Sequence, residues 1–175
     1  MKFILRSIII IFLFIYSFLA FLPKEGFYNF LEQELIERGV IVSGETLKEK
    51  TFGIKVTGAE IYYEGLNTAL FKSLDLDTYL FYTSAKLKDL RVSKDLANML
   101  PSKILNVNVE HSVLNIIAAN ISANGDFGSF EGKIHLLDRK ITGELKPSNI
   151  MKSKYRNLLR EFKLVEGKYL YEYRF

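Results

Sequence analysis

Residues 53–64 read GIKVTGAEIYYE, and the period of their apolar positions decides the fold class. Ile54 and Val56 share one parity, with polar residues between them; after Gly58 the apolar positions shift to Ala59, Ile61 and Tyr63. A period of two lines one face of a strand, whereas a helix needs a period near 3.6. A glycine at such a parity flip marks a β-bulge, because it adopts backbone conformations that other residues avoid. The stretch is a half-buried strand with a bulge at Gly58.

Strand follows strand downstream. Residues 69–82 put Leu70, Leu74, Leu76, Leu80 and Tyr82 on one face and Asp75 and Asp77 on the other, as one long strand or two short ones. Residues 85–92 form the next strand, 94–100 a helical turn stopped by Pro101, and 104–111 a strand with Leu105, Val107 and Val109 inward. Residues 113–145 read as an antiparallel meander reversing at Asn124-Gly125-Asp126 and again at Asp138-Arg139. Asn-Gly suits a tight hairpin because both residues tolerate a positive φ. Ser148 then caps a helix with the apolar stripe Met151, Tyr155, Leu158, Leu159 and Phe162, flanked by Lys152, Arg156, Arg160 and Lys163. After Gly167, KYLYEYRF sets Tyr169, Tyr171, Tyr173 and Phe175 on one side of a last strand.

Upstream, Pro23 and Gly39 bracket a short amphipathic helix with Phe27, Phe30, Leu31 and Leu35 at helical spacing. It reads as covering one end of the sheet, with the lipid interface as the alternative. Residues 3–22, FILRSIIIIFLFIYSFLAFL, follow the basic residues Lys2 and, within the run, Arg6. About 20 residues make roughly 30 Å of helix, so this stretch predicts a transmembrane anchor through Phe3, Ile8, Phe12, Phe14, Phe18 and Leu22. A cleaved signal peptide is the competing reading, disfavoured by an exit lacking a small-x-small pair. Lys2 and Arg6 predict a cytoplasmic N-terminus, a periplasmic C-terminal domain and an inner-membrane, single-pass location. The expected class is α+β: a transmembrane helix over 1–22, then a single periplasmic, mainly antiparallel β-domain over 23–175 with two or three flanking helices.

The formal charge of +4 includes Lys2 and Arg6, leaving 22 basic and 20 acidic side chains in the remainder. Such balance argues against a nucleic-acid partner. With no cysteine, disulfide frameworks, thiolate metal clusters and cysteine nucleophiles are excluded. His111 and His135 lack metal-ligand spacing and read as structural or solvated. Asp75 and Asp77 share a strand face, close enough to hold a cation, but read as solvated carboxylates. Asp126-Phe127-Gly128 matches a kinase triplet without its partner motifs and is a coincidence within a hairpin. No catalytic residue, cofactor site or metal site is expected. The stripe Lys152, Arg156, Arg160 and Lys163 is the candidate contact for an acidic partner or lipid headgroups.

The apolar start, its exit FLPKEGFYNFLEQELIERGVIV, the strands GIKVTGAEIYYEG and FKSLDLDTYL, and GDFGSFEGKIHLLDRKITGELKPS together give the chain a pattern that resembles the AsmA-like and type II secretion system N-type proteins. That resemblance implies a membrane-anchored, β-rich, non-enzymatic periplasmic protein, with an apolar groove tied to lipid traffic in the longer AsmA-like members. The leading expectation is a membrane-anchored periplasmic scaffold or assembly protein, an accessory of secretion or envelope biogenesis. It would meet the lipid bilayer through its first helix and bind another envelope protein. The alternatives are a module binding lipid or another apolar ligand, and an envelope hydrolase using Asp75, Asp77 or a histidine.

Overall fold

The computed structural model describes residues 2–21 and 24–175. Helix α1 is Lys2–Phe21 and helix α2 is Lys24–Glu37. Eleven strands follow: β1 (Val40–Ser43), β2 (Thr46–Lys50), β3 (Gly53–Tyr63), β4 (Leu66–Thr78), β5 (Tyr82–Val92), β6 (Lys103–Ser112), β7 (Ala118–Gly125), β8 (Gly128–His135), β9 (Lys140–Pro147), β10 (Lys163–Val165) and β11 (Lys168–Arg174). All belong to one antiparallel sheet in the order β1-β3-β4-β5-β6-β7-β8-β9-β11-β10, with β2 also pairing β3. Most strands therefore lie beside their neighbours in sequence, as short reversals dictate.

The register gives the sheet two unlike faces. From Val56 one row crosses Leu74, Leu87, Val107, Ala123, Phe130, Leu145 and Tyr169. Its neighbour runs from Ile54 through Leu76, Ala85, Val109, Ile121, Gly132 and Gly143 to Tyr171. The opposite face carries Lys55, Asp75, Lys86, Asn108, Ser122, Glu131 and Glu144. Alternation along every strand thus adds up to one apolar and one polar side.

Gly58 has a φ of +71° and the apolar parity of β3 flips there, but the bulge expected at Gly58 is absent: the register with β4 runs unbroken from Thr57↔Ser73 to Ala59↔Phe71 and shifts instead between Ile61 and Tyr62. The flip is shared. Gly58 stands opposite Lys72, Lys72 opposite Asp89 (φ +51°), and Asp89 opposite Leu105, so the parity changes in all four strands. This line ends in a true bulge, because Ile104 pairs Gly125 while Asn106 pairs Asn124, leaving Leu105 without an opposite residue. Leu105 is consequently exposed rather than inward, and Ile104 takes its place; Leu70 is likewise exposed while Phe71 is buried.

Helices cover the apolar face only at its ends. Tyr28 of α2 packs with Ile54, Val56, Ala59 and Phe71, Ile54 and Val56 being fully buried. At the other end Leu145 is covered by Met151, Tyr155 and Leu159. These three belong to the expected helix after Ser148, but that helix stops early: α3 is Asn149–Ser153, followed by a 3₁₀ turn, Leu158–Glu161, and β10. Ser153 Oγ bonds the carbonyls of Asn149 and Ile150, a competition that weakens a helix end, and Lys163 is drawn into pairing with Leu170.

The expected membrane span is corrected. Among the described residues, no helix is long and apolar enough to cross a membrane. The single-pass anchor, the inner-membrane location and the periplasmic placement derived from it fall with that finding. Phe12, Phe14 and Phe18 stand exposed on α1; the side chains of Phe3 and Ile8, and Leu22 and Pro23, lie outside the described residues.

Candidate functional site: an apolar cleft on the sheet

Between the two covered ends the apolar face stays open. Leu87, Val107, Val109, Ile121 and Ala123 sit in the middle of the two apolar rows, yet each is only half-buried. Helix α2 packs on β1–β3 and α3 on β9, so neither reaches across the central strands. Where this open stretch meets the α3 end, a cleft of about 430 Å³ runs from Pro101 and Ile104 across Ala123 and Phe130 to Leu145, Met151, Phe162 and Tyr171. Its volume falls within the range of sites for small apolar ligands.

Aromatic packing shapes the cleft. Gly132 and Gly143 face each other across β8 and β9, and the Phe130 ring occupies the space their side chains would need. Phe130 meets Tyr171 edge-on at 6.4 Å between ring centres, and Tyr171 meets Phe162 at 5.3 Å. Rings are rigid and present a flat apolar wall at small entropic cost. The loop before Pro101 is tied to the segment after α3: Tyr155 Oη donates to the Ala97 carbonyl at 2.9 Å and Lys154 Nζ donates to the same oxygen at 3.0 Å. Ser148 caps α3 by accepting from the Met151 amide at 3.0 Å. Glu161 is the charged residue at the cleft wall.

The residues considered for hydrolysis do not come together. Lys50 Nζ contacts Asp75 Oδ1 at 3.1 Å and Asp77 Oδ1 at 2.5 Å, filling the position a cation would take between the two carboxylates. Burial lowers the Lys50 pKa, but the hydrogen bonds it donates to Asp77 and Asp75 outweigh that and the net direction is upward. Glu110 is held below the usual carboxylate range by the Asn108 amide and then by Tyr82. His111 lies on the apolar side, its Nε2 buried without a hydrogen-bond partner, opposite Thr83. His135 Nε2 lies 3.0 Å from Thr142 Oγ1, four strands away from Asp75 and Asp77. The groups considered for hydrolysis are therefore scattered over both faces. Among the described residues, no three His, Cys, Asp or Glu residues gather as metal ligands.

The basic residues Lys152, Arg156, Arg160 and Lys163 are exposed, but they lie on α3, the turn after it, the 3₁₀ turn and β10 in succession. The single-helix stripe expected from their spacing does not form. In the sequence Ala123 and Phe130 are only positions of the meander and Tyr171 one of the residues on one side of the last strand; that they share a face follows from the register. No family model, curated protein or solved structure matches the chain.

Proposed function

We propose that the domain binds the hydrocarbon portion of a lipid or a similar apolar chain along the open face of its sheet. One observation carries this reading: a continuous apolar face spans β3 to β11, and its central strands stay half-open between two covered ends. Leaving apolar area in water costs roughly 25 cal/mol per Å², so an occupant that covers it is stabilised in proportion to its length. The cleft offers walls of rings and aliphatic side chains with few polar groups, which suits selection by shape and apolarity rather than by headgroup chemistry. The resemblance to AsmA-like proteins points to the same class of ligand. An assembly scaffold would use the same sheet but gives no reason for its uncovered middle.

Native mass spectrometry of the full chain, purified in a mild detergent and then exchanged, tests the reading. Adducts with the masses of fatty acids or phospholipids are expected, and they should disappear in Ala123→Trp, whose indole fills the cleft. Bare protein in every preparation, with equal masses for both variants, would count against it.

A further inference from the structure

The turns at the two ends of the sheet differ in kind. At one end the turns Glu64-Gly65, Asp126-Phe127 and Glu166-Gly167 each begin with an acid, and the longer loop 93–102 carries Lys94 and Asp95 beside the exposed Met99 and Leu100. At the other end the loops 79–81, 113–117 and 136–139 read YLF, VLNII and LLDR. Among these twelve residues the charged ones are a single acid, Asp138, and a single base, Arg139. Leu114 is 95% exposed, Leu137 78% and Ile116 72%, with Phe81 and the chain end Phe175 also open. Large apolar residues at successive loop tips are the opposite of what solvent selects.

These tips are held in place. One backbone hydrogen bond laces each loop to its neighbour: Thr78 N to Phe52 O at 2.7 Å, Val113 N to Phe81 O at 3.1 Å, Leu136 N to Ile117 O at 2.9 Å, and Phe175 N to Arg139 O at 2.9 Å. Ser112 Oγ accepts from the Leu114 amide at 3.3 Å and fixes the 3₁₀ turn Val113–Asn115 that holds Leu114 outward. The rim is a built row and extends to α1, whose Tyr16 ring meets Phe52 at 4.9 Å.

We infer that this end of the sheet docks on the interfacial layer of a lipid bilayer, inserting Leu114, Ile116 and Leu137 among the upper acyl segments. Four features favour lipid over a protein partner: apolar tips on several separate loops, tyrosine and phenylalanine flanking them, almost no charge, and continuity with an exposed apolar helix. Tyr79 and Phe81 are the amphipathic and apolar rings that settle at headgroup depth. Such docking stays on one side of the bilayer and requires no spanning helix. It is independent of whether the cleft holds a ligand. With one acid and one base in the loops, attraction to zwitterionic lipid should match that to anionic lipid and vary little with salt.

The natural chain contains no tryptophan, so single-tryptophan variants report position directly. In the full-length chain, Leu114→Trp and Leu137→Trp should shift to shorter emission wavelength on phosphatidylcholine vesicles and be quenched by lipids brominated near the headgroup. Met99→Trp, at the opposite end and also exposed, should do neither. Adding L114R and I116R to the Leu137→Trp reporter should weaken partitioning about tenfold or more, with circular dichroism unchanged. Absence of vesicle binding, equal quenching at Met99→Trp, or a blue shift that grows with protein concentration in the absence of vesicles would overturn the inference. The last result would assign the rim to self-association.

Discussion

Phe130 illustrates how single residues set the surface. Its ring lies over the facing pair Gly132 and Gly143, filling space that two side chains would otherwise occupy and smoothing the cleft floor. A methyl at Gly143 runs into that ring, so Gly143→Ala should lower stability by about 1–3 kcal/mol and tilt Phe130 into the cleft. Urea unfolding measures the first effect; an unchanged midpoint would show that the ring has somewhere else to go. Ile54, fully buried beneath α2, should cost about 2–5 kcal/mol as Ile54→Ala. Tyr28 gives a pH signature. Burial, then Glu45 and Glu32, raises its pKa above the ordinary 10.0. The folded state holds that proton more tightly than the unfolded chain, so the contribution is complete below about pH 10 and falls as pH rises beyond it. Thermal melts from pH 8 to 11 should therefore decline less steeply for Tyr28→Phe than for the natural chain. The inward parity of Ile54 and Val56 was legible in the sequence. The closeness of Phe130 to Gly143 was not, because it depends on the pairing of β8 with β9.

At the scale of elements, the deciding feature is the line of irregular residues Gly58, Lys72, Asp89 and Leu105 across four strands. It lets apolar residues on both sides of the line face the same way, such as Val56 with Ala59 and Leu87 with Leu90. Gly58 announced itself because glycine is the natural occupant of a positive φ. Asp89 did not, since aspartate also tolerates that region and looks ordinary on a strand. Leu105 is equally silent: simple alternation assigns it inward, and only its lack of an opposite residue on β7 turns it out. Gly58→Ala should cost about 1–2 kcal/mol through backbone strain, since nothing crowds the position. Chemical unfolding of Gly58→Ala beside Gly58→Asn, whose side chain accepts positive φ more readily, should rank asparagine as the milder change. The helix after Ser148 was legible in its cap and buried stripe but not in its length, because Ser153 and the pairing of Lys163 act against a continuous helix.

For the whole molecule, two properties follow from one meandering topology. Adjacent strands in order align apolar parity into a face, and the same meander sends alternate loops to opposite ends, so that apolar and polar tips separate. The β-rich class was plain from the two-residue period. The membrane span was not sustained, and the uncovered middle of the face could not be read from a sequence that hides where helices land. The most direct test of the central claim is equilibrium titration with a polyene fatty acid whose fluorescence rises in apolar surroundings, using the full chain and Ala123→Trp. Saturable binding displaced by palmitate is expected, weakened about tenfold or more in Ala123→Trp while the folded state persists. Fluorescence that never saturates, or identical curves for the two proteins, would contradict it.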